Sequence, residues 1–232
     1  MTRLRLLLAL CAIMLVSNLS ATTICASAND CLLTLSQGNS SSGFGTGDFG
    51  TVHLTLNTTT DVATIDVTLA SGFTIVGTGF PGSFGFADSL GGGLTIGGFS
   101  SGLYSGAISH ATNDQHFDGF GFSNDAAATT APHAGSGLND VSFTVSKGTS
   151  LTDVNDLLNL FNPAGGDGPA YFVVDAFNSN RSGPGAGNTG LLSVTGAGNV
   201  SGVPEPNTYL GMLTGFGLLG WIARRRRSAA VS

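Results

Sequence analysis

Val62-Ala63-Thr64-Ile65-Asp66-Val67-Thr68-Leu69 sets apolar Ala63, Ile65, Val67 and Leu69 against polar Thr64, Asp66 and Thr68. That is the two-residue period of a strand with one face in a core and the other in water. Val141, Phe143 and Val145 alternate with Ser142, Thr144 and Ser146 in the same way. Shorter strands are expected over Val52 to Leu56, Phe73 to Val76, Leu94 to Phe99, Tyr171 to Phe177 and Leu191 to Thr195, separated by Gly-rich turns. No helical pattern intervenes regularly, so a parallel βαβ order is disfavoured and the expected fold is mainly β, an antiparallel β-sandwich with one short helix. That helix is read from Leu151, Val154, Leu157, Leu158 and Phe161, with Ser150 and Asp153 as its N-terminal cap and Pro163 as its stop. Asp153 and Asp156 then serve the positive end of its dipole. Gly38 to Gly50 and Ala126 to Gly137 read as loops without a core of their own.

The chain has 232 residues, of which 41% are hydrophobic, only 9% are charged and 36 are Gly. So few charges with so much apolar content exclude a disordered chain, and the absence of a three-residue Gly period excludes collagen. Charge is unevenly placed. Between Asn29 and Gly202 lie 13 Asp, no Glu and only Lys147 and Arg181, a formal −11, while both chain ends are basic. Such a middle repels nucleic acid and anionic lipid surfaces.

The N-terminus reads as a signal helix: Arg3 and Arg5 precede the apolar run Leu6 to Val16, and Ala26-Ser27-Ala28 offers an A-x-A cleavage site. Residues 1–28 are therefore assigned to a signal peptide, with cleavage after Ala21 as the alternative. The choice decides the cysteine arithmetic, because the later cut leaves Cys31 alone and the earlier one leaves Cys25 and Cys31 able to close a small disulfide loop. No C-x-x-C pair is present for a zinc ribbon or a thioredoxin-like site.

At the other end, Val203, Pro204, Glu205 and Pro206 precede an apolar stretch, Thr208 to Ala223, and then Arg224, Arg225, Arg226 and Arg227. A helix of 16 residues reaches about 24 Å against a hydrocarbon core of about 30 Å, a marginal transmembrane span that Arg snorkelling and bilayer thinning can accommodate. Tyr209 and Trp221 stand near its two ends, where interfacial aromatics belong, and the four Arg hold their flank in the cytoplasm, which places residues 29–202 outside. Gly211 and Gly215 form a small-xxx-small face. Pro204 and Pro206 keep the backbone before the span extended, as a peptidase cleft requires.

This order of Pro-Glu-Pro motif, short span and Arg cluster resembles the PEP-CTERM sorting signal of bacterial exported proteins, also catalogued as an ice-binding protein C-terminal domain. The resemblance covers residues 203–232 and implies recognition by an exosortase, a membrane-embedded cysteine peptidase or transpeptidase. It further implies cutting near Pro204-Glu205-Pro206 and delivery of the domain, 29–202, to the cell surface or extracellular matrix after transient anchoring. Phe172-Val173-Val174-Asp175 with Asn188-Thr189-Gly190 resembles endings of other exported domains with this tail, and Gly190 is expected to supply a positive φ.

Catalytic and metal signals in the middle are weak. Gly98-Phe99-Ser100-Ser101-Gly102 matches the nucleophile elbow G-x-S-x-G, but a helix after Ser100 is not indicated and the chain is rich in Gly and Ser. His53, His110, His116 and His133 are scattered; His110 and His116 with Asp114 and Asp118 form the one local cluster that a metal could use. No cofactor is assigned, although short loop carboxylates keep calcium open, and Gly165-Gly166-Asp167-Gly168 reads as a turn. Phe117, Phe120 and Phe122 would stack sugars if exposed in a row and fill a core if buried. Thr58-Thr59-Thr60 is a run and not an array at strand spacing, so ice binding does not follow from the tail's catalogue name. The N-x-[ST] matches at Asn39, Asn57, Asn180 and Asn199 read as chance. The expected function is that of a non-catalytic structural or adhesive surface protein, with signal peptidase, exosortase, the membrane and an exopolysaccharide as partners, and no nucleic acid. The rivals are a carbohydrate-binding module and a matrix-polymer hydrolase.

Overall fold

A computed structural model describes residues 24–195 except 80 and 181. The signal segment up to residue 23, the Pro-Glu-Pro motif, the expected span 208–223 and the Arg cluster lie outside the described residues. Among the described residues no helix is long and apolar enough to cross a membrane.

The strands are β1 (Asp30–Thr34), β2 (Gln37–Gly38), β3 (Gly50–Asn57), β4 (Val62–Leu69), β5 (Phe73–Ile75), β6 (Phe84–Phe86) and β7 (Thr95–Gly97). They continue as β8 (Ser105–Ser109), β9 (Gln115–Phe117), β10 (Gly121–Ser123), β11 (Asp125–Thr130), β12 (Asp140–Ser146), β13 (Phe172–Asn178) and β14 (Thr189–Val194). One sheet has the order β1-β3-β4-β12-β7; a second has β2-β14-β13-β6-β11-β8, with β5 also on β13. Their pairings are antiparallel. The segments with clean alternation in the sequence, 62–69 and 141–146, sit side by side in the first sheet, where Val67, Ile65 and Ala63 face Val141, Phe143 and Val145 across the ladder.

Side chains from the inner faces of both sheets share one core, the arrangement expected of a sandwich. Phe143 of the first sheet lies 5.1 Å from Phe84 and 6.3 Å from Phe86 of the second, and 5.6 Å from Phe99, centroid to centroid. Tyr104 pins the end of this core: its hydroxyl donates to the Ile75 carbonyl at 2.9 Å and accepts from the Leu138 N–H at 3.0 Å.

The middle of the second sheet departs from the alternating pattern because β6, β13 and the start of β11 are buried on both faces. Ala87, Phe117, Phe120, Ala126, Phe161, Ala170 and Val173 form a separate cluster beneath it. Strands covered on both sides read as continuous apolar or small-residue runs, as in Phe84-Gly85-Phe86 and Ala126-Ala127-Ala128. The expected loop 126–137 is therefore corrected, since Ala126 to Thr130 complete β11 between β6 and β8. The expected loop 38–50 also contributes to the core: Phe44 and Phe49 are buried and meet Phe73 edge-on at 5.5 and 5.6 Å.

Gly85 joins the two layers. A Cβ there would meet the Phe117 ring at 2.3 Å, so the missing side chain is the slot that the ring fills. Gly85→Ala is expected to lower stability by about 1–3 kcal/mol through overpacking, read as a fall in the urea midpoint with an unchanged slope.

The expected helix over 151–161 is a single 3-10 turn, Val154–Leu157. Its apolar residues are buried as the periodicity demanded, but its backbone is committed elsewhere. Val154 N–H donates to the Ala28 carbonyl, Asn159 N–H to the Ala87 carbonyl, and the Asp156 carbonyl accepts from Ser89 N–H. Asp153 caps the turn in a capping box with Asp156, and local bonding by Asp and Asn competes with α-helix propagation. Ser150 is not the cap.

Candidate functional site

The least expected polar arrangement lies where β6 runs out beside the start of β11. Asp88, Asn124 and Asp125 are all buried there. Asn124 is oriented by both its groups: its Oδ1 accepts from the Asp88 N–H at 2.9 Å and its Nδ2 donates to Asp88 Oδ2 at 2.7 Å. Asp88 Oδ1 accepts from Leu90 N–H at 2.5 Å and Gly92 N–H at 3.3 Å, a local turn built on the carboxylate. Asp125 is fully buried, and Asp88 N–H donates to its Oδ2 at 3.2 Å. Its Oδ1 has no hydrogen-bond partner. Burial first, and then the neighbouring Asp88, push the Asp125 carboxyl up to about 8, so at neutral pH it carries a proton.

Asp88 and Asn124 line a cleft of about 850 Å³, together with Ser89, Asn113, Asn159 and Leu160. Asp125 does not reach that wall. The two carboxyl groups influence each other electrostatically. Asp88 has donors on both oxygens, and Asp125 holds its proton inside the fold.

A smaller cleft of about 210 Å³ is lined by Asn39, Thr78, Asp118, Asp175 and Thr189 among others. Asp175 stands in the gap between β5 and β6, which share one edge of β13. Burial raises its carboxyl to about 6, against the lowering effect of the Thr78 donors, whose N–H and hydroxyl lie at 2.7 and 2.8 Å. Gly190, beside it, has no positive φ. Its requirement is close approach, because a Cβ would meet Ser42 at 2.2 Å and Asn39 Oδ1 at 2.7 Å.

The other expected site residues are dispersed. Ser100 follows β7 and adds to the sheet edge, donating its N–H to Ser142 and accepting the Ser142 N–H on its Oγ at 2.9 Å. A turn and not a helix follows it, so the elbow context is missing. His110 lies 2.8 Å from Asp114 on the surface, where the Gln115 amide and then His110 hold the Asp114 carboxyl below its ordinary value. His116 rests on Phe122 at 4.6 Å, and His53 on Asp30 at 3.2 Å. Among the described residues no three of His, Cys, Asp and Glu converge as a metal would need. Asp167 lies in the expected turn, where its Oδ2 accepts from Ser40 N–H. The row Phe117, Phe120, Phe122 is not an exposed platform, since Phe117 and Phe120 are core. Asn39 is buried and occupied by Leu191 N–H and Ser41, which closes that N-x-S match to modification.

Register assembles a surface that no linear run displays. Thr34, Thr51 and Thr68 are aligned across β1, β3 and β4, and Thr55, Thr64 and Thr144 across β3, β4 and β12. All six alternate with core residues and therefore point to the outer face of the first sheet. That face carries these hydroxyl groups together with Asp30, Asp66, Asp140, His53 and the exposed Leu32.

Residues 202–227, beyond the β domain, match the family model of the PEP-CTERM protein-sorting motif. The tail is a PEP-CTERM sorting signal. No curated protein and no solved structure matches the chain. The PEP-CTERM tail makes this an exosortase-targeted, exported protein that is sorted through the membrane.

Proposed function

We propose that the chain is a bacterial cell-surface or extracellular-matrix protein whose β-sandwich has a structural or adhesive, non-catalytic role once its exosortase has removed the PEP-CTERM tail. The tail carries this reading: the Pro-Glu-Pro motif, the short apolar stretch and Arg224 to Arg227 follow in the order that sorting needs. Retention on a matrix is assigned to the hydroxyl-bearing outer face of the first sheet. With −11 formal charges on the domain, a neutral polysaccharide is the compatible polymer and an acidic one is repelled. The non-catalytic assignment is supported by the Asp88–Asp125 pair, in which both Asp88 oxygens already accept hydrogen bonds from the fold and Asp125 does not line the cleft, and by Ser100, whose hydroxyl belongs to a sheet edge. The burial of Phe117 and Phe120 speaks against a sugar-binding module built on an aromatic row.

Intact-mass and fractionation analysis of the mature protein, in cells with and without the sorting peptidase, tests the proposal. Loss of the tail only when the peptidase is present, with the domain in the surface or matrix fraction, is the expected result; a tail retained in both strains means a permanent anchor. Thr51→Lys with Thr64→Lys, two outward positions on adjacent strands that do not face each other, is expected to shift the domain from matrix to medium while leaving tail removal intact.

A further inference from the structure

The N-terminal segment before β1 is built into the domain. Ile24 and Cys25 are only 4% and 5% exposed and belong to the main core. Cys25 is bridged to Cys31, with Cα atoms 5.3 Å apart. Its N–H donates to Asn155 Oδ1 at 2.9 Å, and Asn155 Nδ2 donates back to the Cys25 carbonyl at 3.3 Å. The Ala28 carbonyl accepts from Val154 N–H at 2.8 Å. Cleavage after Ala28 would strip all of this away. It would unpair Cys31, vacate the core position of Ile24, and leave the Val154 N–H and the Asn155 amide without partners, losses that are costly wherever the group stays buried.

The leader itself allows an earlier cut. Its apolar run ends at Val16, and Ala21 stands five residues beyond while Ala28 stands twelve beyond. Leu19 departs from the small residue that an A-x-A pattern has at that place, but Ser20-Ala21 supplies the small pair at the scissile bond.

We infer that signal peptidase hydrolyses the Ala21–Thr22 bond, so that the mature chain begins at Thr22 and keeps Cys25 for a structural disulfide with Cys31. This rests on the export reading above. Water adds across the Ala21–Thr22 amide, leaving a carboxylate on Ala21 and an amine on Thr22. The two thiols then give up two protons and two electrons to an oxidised protein disulfide, which is released as the dithiol, by thiol–disulfide exchange in the oxidising compartment. Closing this loop constrains the unfolded chain.

Intact mass and N-terminal sequencing of the exported full chain, alkylated before and after reduction, test this. A Thr22 start, no label before reduction and two labels after it are expected. An Asn29 start with one label before reduction overturns the inference and leaves export standing; a Thr22 start with two labels before reduction overturns its disulfide. An unprocessed chain starting at Met1 overturns the inference and the export reading together. Ala28→Leu is expected to leave the mature start at Thr22, and loss of processing in that variant would also overturn the inference.

Discussion

Raising the pH from 5 to 8.5 is expected to destabilise the folded domain by several kcal/mol, and Asp125→Asn to remove the larger part of that slope. The Asp125 carboxyl ionises near 8 in the folded protein, against an ordinary value of 3.8. Between those limits the folded state binds a proton that the unfolded state has released, so stability is greatest below pH 4 and falls as pH rises through 8. Four pK units correspond to about 5 kcal/mol as an upper figure, a large share of the 5–15 kcal/mol typical of a domain. Asp175, raised to about 6, acts in the same direction over a lower window, with its loss complete above pH 6. An amide at 125 mimics the protonated acid in shape and neutrality, and its oxygen can still accept from the Asp88 N–H. Asp125→Asn should therefore leave stability near pH 4 almost unchanged and raise it at pH 8, measured as urea midpoints across the range. A wild-type stability that climbs from pH 5 to 8 would contradict a proton held on Asp125.

The second large effect belongs to Phe143. Its ring is fully buried and stands within 6.3 Å of Phe84, Phe86 and Phe99, so it ties the centre of one sheet to the centre of the other. Phe143→Ala is expected to cost about 3–5 kcal/mol from lost transfer energy and the cavity left behind. Phe84 and Phe86 are held in β6 between β11 and β13, which limits collapse into the gap. Phe143→Leu, which keeps most of the volume, should cost much less. Equilibrium denaturation of the two variants separates packing at this point from a general sensitivity of the strand; equal losses would mean that the inter-sheet contact is not what the residue supplies.

Both predictions rest on features that differ in how visible they are along the chain. Phe143 sits in an alternating strand and announces its burial by period alone. Asp125 follows Asn124 and precedes three alanines, and nothing in its neighbourhood distinguishes a buried, protonated carboxyl from a solvated turn. Its partner Asp88 is 37 residues away and becomes adjacent only when β6 and β11 pair. The Thr rows are hidden for the same reason, because each row takes one residue from each strand and only register aligns them.

The amino-acid order by itself determined the half-buried strands 62–69 and 141–146, the antiparallel β class, the acidity of the middle and the PEP-CTERM sorting signal at the end. Each of these is local: an alternation, a composition, or a short motif. Tertiary structure alone decided that Phe84–Phe86 and Asp125–Thr130 are central strands, because a sheet covered on both faces loses the two-residue period. It likewise reduced an apparent helix at 151–161 to one turn, since the backbone donors of Val154 and Asn159 bond to distant carbonyls in preference to propagating the helix. It also joined Cys25 to Cys31 and anchored that loop on Asn155, a contact across 130 residues that no local pattern encodes.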